Sequence, residues 1–310
     1  MSTKIEWTEE TWNPVAGCTR ISEGCEHCYI ERTPPFRMAH RRFDGPHIGA
    51  TTGVMLHPER LRRPLEWRKP RRIFVCSMAD LFHDNVPDDY ISRVFAMMAI
   101  APQHTYQVLT KRPHRMRALL SSDSFRAYGF WAGVPDHAWP LPNVWLGIST
   151  ETQKWADIRI PILLDTPAAV RWISAEPLLG PVELRYSYCP SHDFPGGMCT
   201  FSCPDRRRLN WVVVGGETGP GSRPMDPAWP RAIRDQCAAA SVPFFFKQWG
   251  DHVTFDQMND AAHHAWDLHH GNDQHLPSTY WRMGKKLAGR ELDGRTHDEY
   301  PASLVSENRS

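Results

Sequence analysis

Cys18, Cys25 and Cys28 stand in C-x6-C-x2-C order within "GCTRISEGCEHCY", residues 17–29. Disulfides need an even count, and a closed structural zinc site needs four protein ligands. A cubic iron–sulfur cluster that keeps one iron open for a substrate needs three thiolates. Zinc stays open as a reading if a histidine completes the set. His27, however, is sterically poor between two proposed ligands, and His40 or His47 needs a loop of its own. Plain buried thiols are the third reading, since free cysteine buries readily. Against that reading, three thiols fall within eleven residues and two are preceded by a glycine, Gly17 and Gly24. Glycine gives a loop the freedom to wrap around a cluster.

A second group of soft ligands, Cys189, His192, Cys199 and Cys203, lies in the Gly/Pro-rich stretch 182–208. Zinc there would staple a segment with little core of its own, and an auxiliary iron–sulfur cluster is the alternative. The irregular spacing equally fits an insertion with incidental cysteines. Cys76 and Cys237 are expected to pack as small apolar residues.

The elements that position these groups are legible as short apolar runs over 71–81, 105–113, 143–151, 170–181, 209–221 and 242–250. Helical patterns over 87–101, 113–130, 152–167 and 226–241 separate or follow them. Strands alternating with helices predict βαβ units and a mostly parallel sheet. Each apolar run ends in polar residues: Ser77 and Asp80, Lys111, Ser149 and Glu151, Glu176, Glu217, and Lys247 with Gln248. In barrels and open α/β sheets the carboxyl ends of the strands form the binding face, so one shared polar cleft is expected. Helix capping is the simpler account for Ser149 or Asp80, and a snorkelling surface position for Lys111. Lys111, Glu176 and Lys247 are the catalytic candidates.

The 310 residues are 41% hydrophobic and 23% charged, ordinary for a soluble enzyme, with no apolar run long enough to span a membrane. The polar start "MSTKIEWTEETWNP" has no apolar signal region, so a cytoplasmic protein holding thiols and metal is expected. Net charge is +1 but uneven: residues 1–120 carry 18 Lys+Arg against 13 Asp+Glu. The densest basic stretches, 60–72 and 110–117, suit either a phosphate backbone or an ordinary solvated face.

The cysteine loop followed by βα units with polar strand ends resembles the radical S-adenosylmethionine (SAM) superfamily. That superfamily has a first gap of three and an aromatic before the last cysteine, whereas here the gap is six and His27 stands in that place. The whole chain is more closely similar to a phage- and prophage-associated family of unknown function with a three-cysteine motif. The matching segments are "IEWTEETWNPVAGC", "FVCSMADLFHD", "VLTKRP", "NVWLGIS", "ISAEPLLGP", "VVGGETGPGSRPM", "PFFFKQWG" and "GKKLAGRELDGR". "VLTKRP" and "AEPL" are more weakly similar to the spore-photoproduct-lyase branch.

The resemblance implies an α/β fold, a partial (β/α) barrel of radical SAM type over 1–250. Residues 182–208 would be its cysteine-bearing insertion and 251–310 a C-terminal extension. It implies that Cys18, Cys25 and Cys28 hold a [4Fe–4S] cluster whose open iron binds SAM, and that one electron splits SAM to methionine and a 5′-deoxyadenosyl radical. His27 would lie near the adenine. Ser77 and Asp80 occupy the position of the segment that binds the SAM amino group. Ser149 and Glu151 would reach the ribose or carboxylate, and Gly215, Gly216 and Glu217 the adenine. The implied partners are SAM, an electron donor and a nucleic acid or nucleobase substrate, with no membrane. The competing expectation is a zinc-stabilised phage-type protein that binds nucleic acid without catalysis.

Overall fold

The computed structural model describes residues 3, 5–45, 47–127, 131, 139–184, 187–188, 207–270 and 279–302. Seven parallel strands form its sheet: β1 (Glu10–Trp12), β2 (Arg72–Val75), β3 (Thr105–Thr110), β4 (Val144–Ser149), β5 (Val170–Ala175), β6 (Trp211–Gly215) and β7 (Phe244–Gln248). They lie side by side in chain order, curled into a half-barrel. Parallel neighbours need crossovers. Helices α1 (Asp88–Ile100), α2 (Pro113–Leu120), α3 (Gln153–Asp165) and α4 (Ala228–Ala240) supply four of them. All six expected strands form. The first, β1, was not expected from sequence, because three residues carry no readable period.

The pleat sorts each strand into two faces. Residues such as Ile73, Val108, Ile148, Ile173 and Val214 point outward, in one core cluster with Val94, Phe95, Leu163 and Ile233 of the helices. Inward-facing Phe74, Trp145, Trp172, Trp211 and Phe245 join Trp7 in a separate aromatic layer that fills the half-barrel. Trp7 meets Phe74 edge-on at 4.7 Å and Trp172 at 5.3 Å between ring centroids. Each buried indole removes on the order of 150–250 Å² from water, roughly 4–6 kcal/mol of gross transfer energy. This layer is the floor of the cavity described below.

The segment expected as a C-terminal extension folds back onto the barrel. The backbone amide of Phe246 donates to the His297 carbonyl at 3.0 Å, covering the otherwise open edge of β7. Tyr300 stacks on Trp211 at 5.3 Å, and the Arg72 guanidinium sits 4.2 Å from the Tyr300 ring. The tail thus reaches from β7 towards β2 and seals the aromatic floor. Of the insertion, residues 182–184, with Val182 and Leu184 buried, and the two-stranded pairing of Ser187–Tyr188 with Arg207–Arg208 are described. Cys189, His192, Cys199 and Cys203 lie outside the described residues. No helix of the described residues is long and apolar enough to cross a membrane.

Candidate functional site

The carboxyl ends of the strands and the cysteine loop enclose a cavity of about 360 Å³, within the range of small-molecule sites. Strand parity explains which side chains reach it. Residues two apart share a face, so Lys111 continues from Gln107 and Leu109, Glu176 from Trp172 and Ser174, and Glu217 from Val213 and Gly215. Lys111, Ser149, Ser174, Glu176, Glu217 and Lys247 all line the cavity, as do Ser77 and Asp80. The N-cap positions of the four crossover helices are Pro87, Arg112, Thr152 and Pro227, none with a side-chain cap, so neither Ser149 nor Asp80 is the N-cap of one of these helices.

Cys18, Cys25 and Cys28 line the same cavity as free, partly exposed thiols. The 3₁₀ turn Glu23–Cys25 and the Cys28 amide, donating to the Cys25 carbonyl at 3.3 Å, shape the x2 pair. Burial, with Asp80 adding to it, pushes the Cys18 thiol up to about 12, and burial pushes Cys28 up to about 11. Such thiols stay protonated until a cation replaces the proton. The Ser22 hydroxyl lies 3.7 Å from Cys25 Sγ, and Arg112 Nη1 lies 4.0 Å from Cys18 Sγ. Among the described residues, no three His, Cys, Asp or Glu side chains converge to hold a single metal ion. A cubic cluster makes a different demand, because each thiolate meets a different iron. Three free thiols on one cavity wall, with the Arg112 guanidinium beside one sulfur, suit that demand.

Two carboxylates hold the wall together. Glu151, fully buried, accepts from Ser22 Oγ at 2.7 Å and pairs with Lys111 Nζ at 3.1 Å and Arg159 Nη1 at 2.7 Å. Burial raises its pKa, but the charges of Lys111 and Arg159 and the Ser22 hydrogen bond outweigh this and bring it to about 2. Asp80 accepts from Thr110 Oγ1 at 2.7 Å, the Phe82 amide at 2.9 Å, the Lys111 amide at 3.1 Å and Arg112 Nη1 at 3.0 Å. Both oxygens of each carboxylate are engaged within the protein, so Glu151 and Asp80 fix their neighbours in place.

On the opposite wall Lys247 Nζ meets Glu176 Oε1 at 2.5 Å. Glu217 accepts a bidentate pair from Arg223, at 2.6 and 2.8 Å, and faces His27 Nδ1 at 3.1 Å. Burial opposes ionisation of Glu217, yet the Arg223 and His27 hydrogen bonds hold its pKa below the usual carboxylate value. His27 therefore sits at the rim between the cysteine loop and the strand end 215–222. Gly216 is required by close approach: a Cβ there would lie 1.9 Å from the Trp249 carbonyl oxygen.

Gly24 has the same explanation, since a Cβ would stand 2.4 Å from Glu151 Cγ. Gly24→Ala is expected to lift the cysteine loop off this hub. The loss in thermal unfolding should correspond to about 1–3 kcal/mol, with weaker retention of any bound metal. An unchanged melting temperature would mean that the loop does not seat against Glu151.

Sequence reading missed Ser22, Arg112, Arg159 and Arg223. Arg112 follows Lys111 directly and a turn brings it round to Cys18. Ser22 acts across more than a hundred residues, Arg159 from a helix, and Arg223 from a turn that folds back on Glu217 six residues before it. The basic stretches prove largely compensated: Arg63 pairs with Glu66, Arg71 with Glu10, Arg72 with Glu9, Arg112 with Asp80, Arg115 with Asp88 and Arg117 with Asp165.

Compared with known protein families, residues 2–301 match the one described as "Protein of unknown function (DUF5131)", and the chain belongs to it. No curated protein and no solved structure matches the chain.

Proposed function

We propose that this member of the family is a radical SAM enzyme of cytoplasmic type, acting on a nucleobase or nucleic acid. What carries the reading is that Cys18, Cys25 and Cys28 line the same cavity into which successive strand ends deliver Lys111, Ser149, Glu176, Glu217 and Lys247. The three cysteines would hold a [4Fe–4S] cluster. When bound, it supplies one electron to the sulfonium of SAM, which yields methionine and a 5′-deoxyadenosyl radical.

The protein's own residues do the positioning. Arg112 donates towards the Cys18 sulfur, Ser22 ties the cysteine loop to Glu151, and Glu151 and Asp80 hold the ends of β3 and β4 against that loop. His27, Gly216 and Glu217 form the rim on which an adenine would rest. The aromatic floor keeps water from below, which protects a radical from side reactions. Glu176 and Lys247 face the remaining space and would meet the substrate. The cavity is far too narrow for a duplex, so a base would enter out of its stack.

The test is protein purified and reconstituted without oxygen, then incubated with SAM and a reductant. About four irons per chain and 5′-deoxyadenosine are expected. Zinc at the cysteines with intact SAM would overturn the reading in favour of a zinc-stabilised nucleic-acid-binding protein.

Lys247→Met leaves Glu176 in the cavity without its cation. SAM cleavage should fall about tenfold or more while iron content stays unchanged. The double change Lys247→Met/Glu176→Gln should be less destabilising than the single one, since it leaves no unpaired charge. A wild-type cleavage rate in Lys247→Met would remove this pair from the site.

A further inference from the structure

Residues 32–56 form a small lobe behind the cysteine wall. Phe36 and Ile30 pack with Ala16 in a core cluster of their own, against which Cys18 and Cys28 lie. The lobe is tied to the cysteine loop by bridges between Thr19 and Thr51 and between Ala16 and Met55. Its outer surface combines exposed apolar side chains with arginines. Met38 is 77% exposed, Ile48 60% and Met55 41%. The segment also carries Arg37, Arg41 and Arg42, with a single acid, Asp44, and no lysine, whereas its first residue, Arg32, turns to the cavity rim and donates to the His27 and Thr218 carbonyls.

Among the described residues Arg37, Arg41 and Arg42 make no ion pair, whereas Arg63, Arg71, Arg72, Arg112, Arg115 and Arg117 do. Arg41 has a structural role, donating to the Gly53 carbonyl at 2.8 Å, while Arg37 and Arg42 are exposed. Arginine and methionine enriched, with lysine and acids depleted, is the composition of a protein–protein interface.

We propose that this lobe is the landing surface for an acidic one-electron redox protein, which delivers its electron through the Phe36–Ile30 cluster to the cysteine wall. The inference rests on the radical reading above, which requires such an electron. In the step the donor loses one electron and the cysteine-held group gains it; no atom moves. Two features favour a protein over a nucleic acid here. The exposed apolar groups are aliphatic or thioether, and the aromatic rings are already covered, Phe36 by Arg41 at 4.8 Å and Phe43 by Arg20 at 4.3 Å. Single-stranded nucleic acids need open rings for stacking.

Arg37 and Arg42 are exposed, so Arg37→Glu/Arg42→Glu spares the fold. The probe is an acidic flavodoxin, used in two ways: binding to the oxidised full chain over a salt series, and reduction followed by 5′-deoxyadenosine formation, with dithionite as the small-molecule control. In the double variant, and in Met38→Asp, binding and flavodoxin-driven product should fall about tenfold or more. Dithionite-driven product should not change. Wild-type binding and flavodoxin rates in both variants, with dithionite chemistry intact, overturn the docking surface alone. Absence of iron and of any product with dithionite overturns the radical reading, and the docking proposal with it. Loss of oligonucleotide binding in the double variant, with flavodoxin rates unchanged, overturns the proposal in favour of a nucleic-acid surface.

Discussion

Alanine at Cys18, Cys25 or Cys28 is expected to take the anaerobically reconstituted protein from about four irons per chain to fewer than one, and to abolish 5′-deoxyadenosine formation. The effect should be nearly complete for each single change, because a cluster that keeps one iron open has no spare protein ligand. Stability should change little, since all three thiols are partly exposed on a cavity wall. Cys237→Ala makes the contrast. That side chain is fully buried in α4, so its loss should lower thermal stability while leaving iron and SAM cleavage intact. Retention of iron in the Cys18, Cys25 and Cys28 variants would place the metal elsewhere, the cysteines of 182–208 first. Iron and SAM cleavage are read separately, so an unfolded variant is distinguished from one that has lost a ligand.

Replacing Glu151 by leucine should be the most destabilising single change. It strands Lys111 and Arg159 as unpaired cations beside a fully buried position and frees Ser22 from the cysteine loop. Removing one member of a buried, hydrogen-bonded ion pair costs about 3–5 kcal/mol. Two cations are affected here, so a fall in melting temperature on the order of 10 °C is expected. The same carboxylate sets an acid limit. Its pKa in the folded chain is about 2, against 4.5 when unperturbed. The unfolded chain therefore binds the proton first as pH falls, and the stabilisation present above pH 4.5 is lost progressively towards pH 2. That interval corresponds to about 3 kcal/mol. Equilibrium denaturation between pH 5 and pH 3 should show the loss begin, and Glu151→Gln should flatten it. A slope unchanged by that substitution would mean that folding does not lower the Glu151 pKa.

Much of the barrel could be read from residues alone, for reasons that are local. Apolar runs such as "WVVVG" and "FFFKQ" have strand length and composition, and the four crossover helices carry their own periodicity. The structure starts and stops them within a few residues of the expected limits, except that the pattern over 113–130 yields α2 and a separate short helix, Asp123–Ala127. β1 escaped notice, because three residues gain their strand geometry only from pairing with β2. The tail was read as an extension because its burying residues, Leu292, His297 and Tyr300, are scattered without a period. They pack because the open edge of β7 and the aromatic floor accept them.

The site divides along the same line. That three thiols lie close together, and that strands end in Lys111, Glu176, Glu217 and Lys247, follows from spacing and from a pleat of period two. Both are properties of contiguous residues. Which of those groups stays available to a substrate does not follow from them. Ser22 and Glu151 meet across 129 positions, and His27 and Glu217 across 190. Lys111 was a catalytic candidate by its position at a strand end, yet its ammonium is pinned to Glu151. Lys247 and Glu176, by contrast, pair with each other across the open cavity. An ion pair forms between whichever opposite charges the curled sheet brings within a few ångströms. Sequence therefore determined the kinds of chemistry available to this protein, and the closing of the half-barrel decided which side chains hold the site and which face into it.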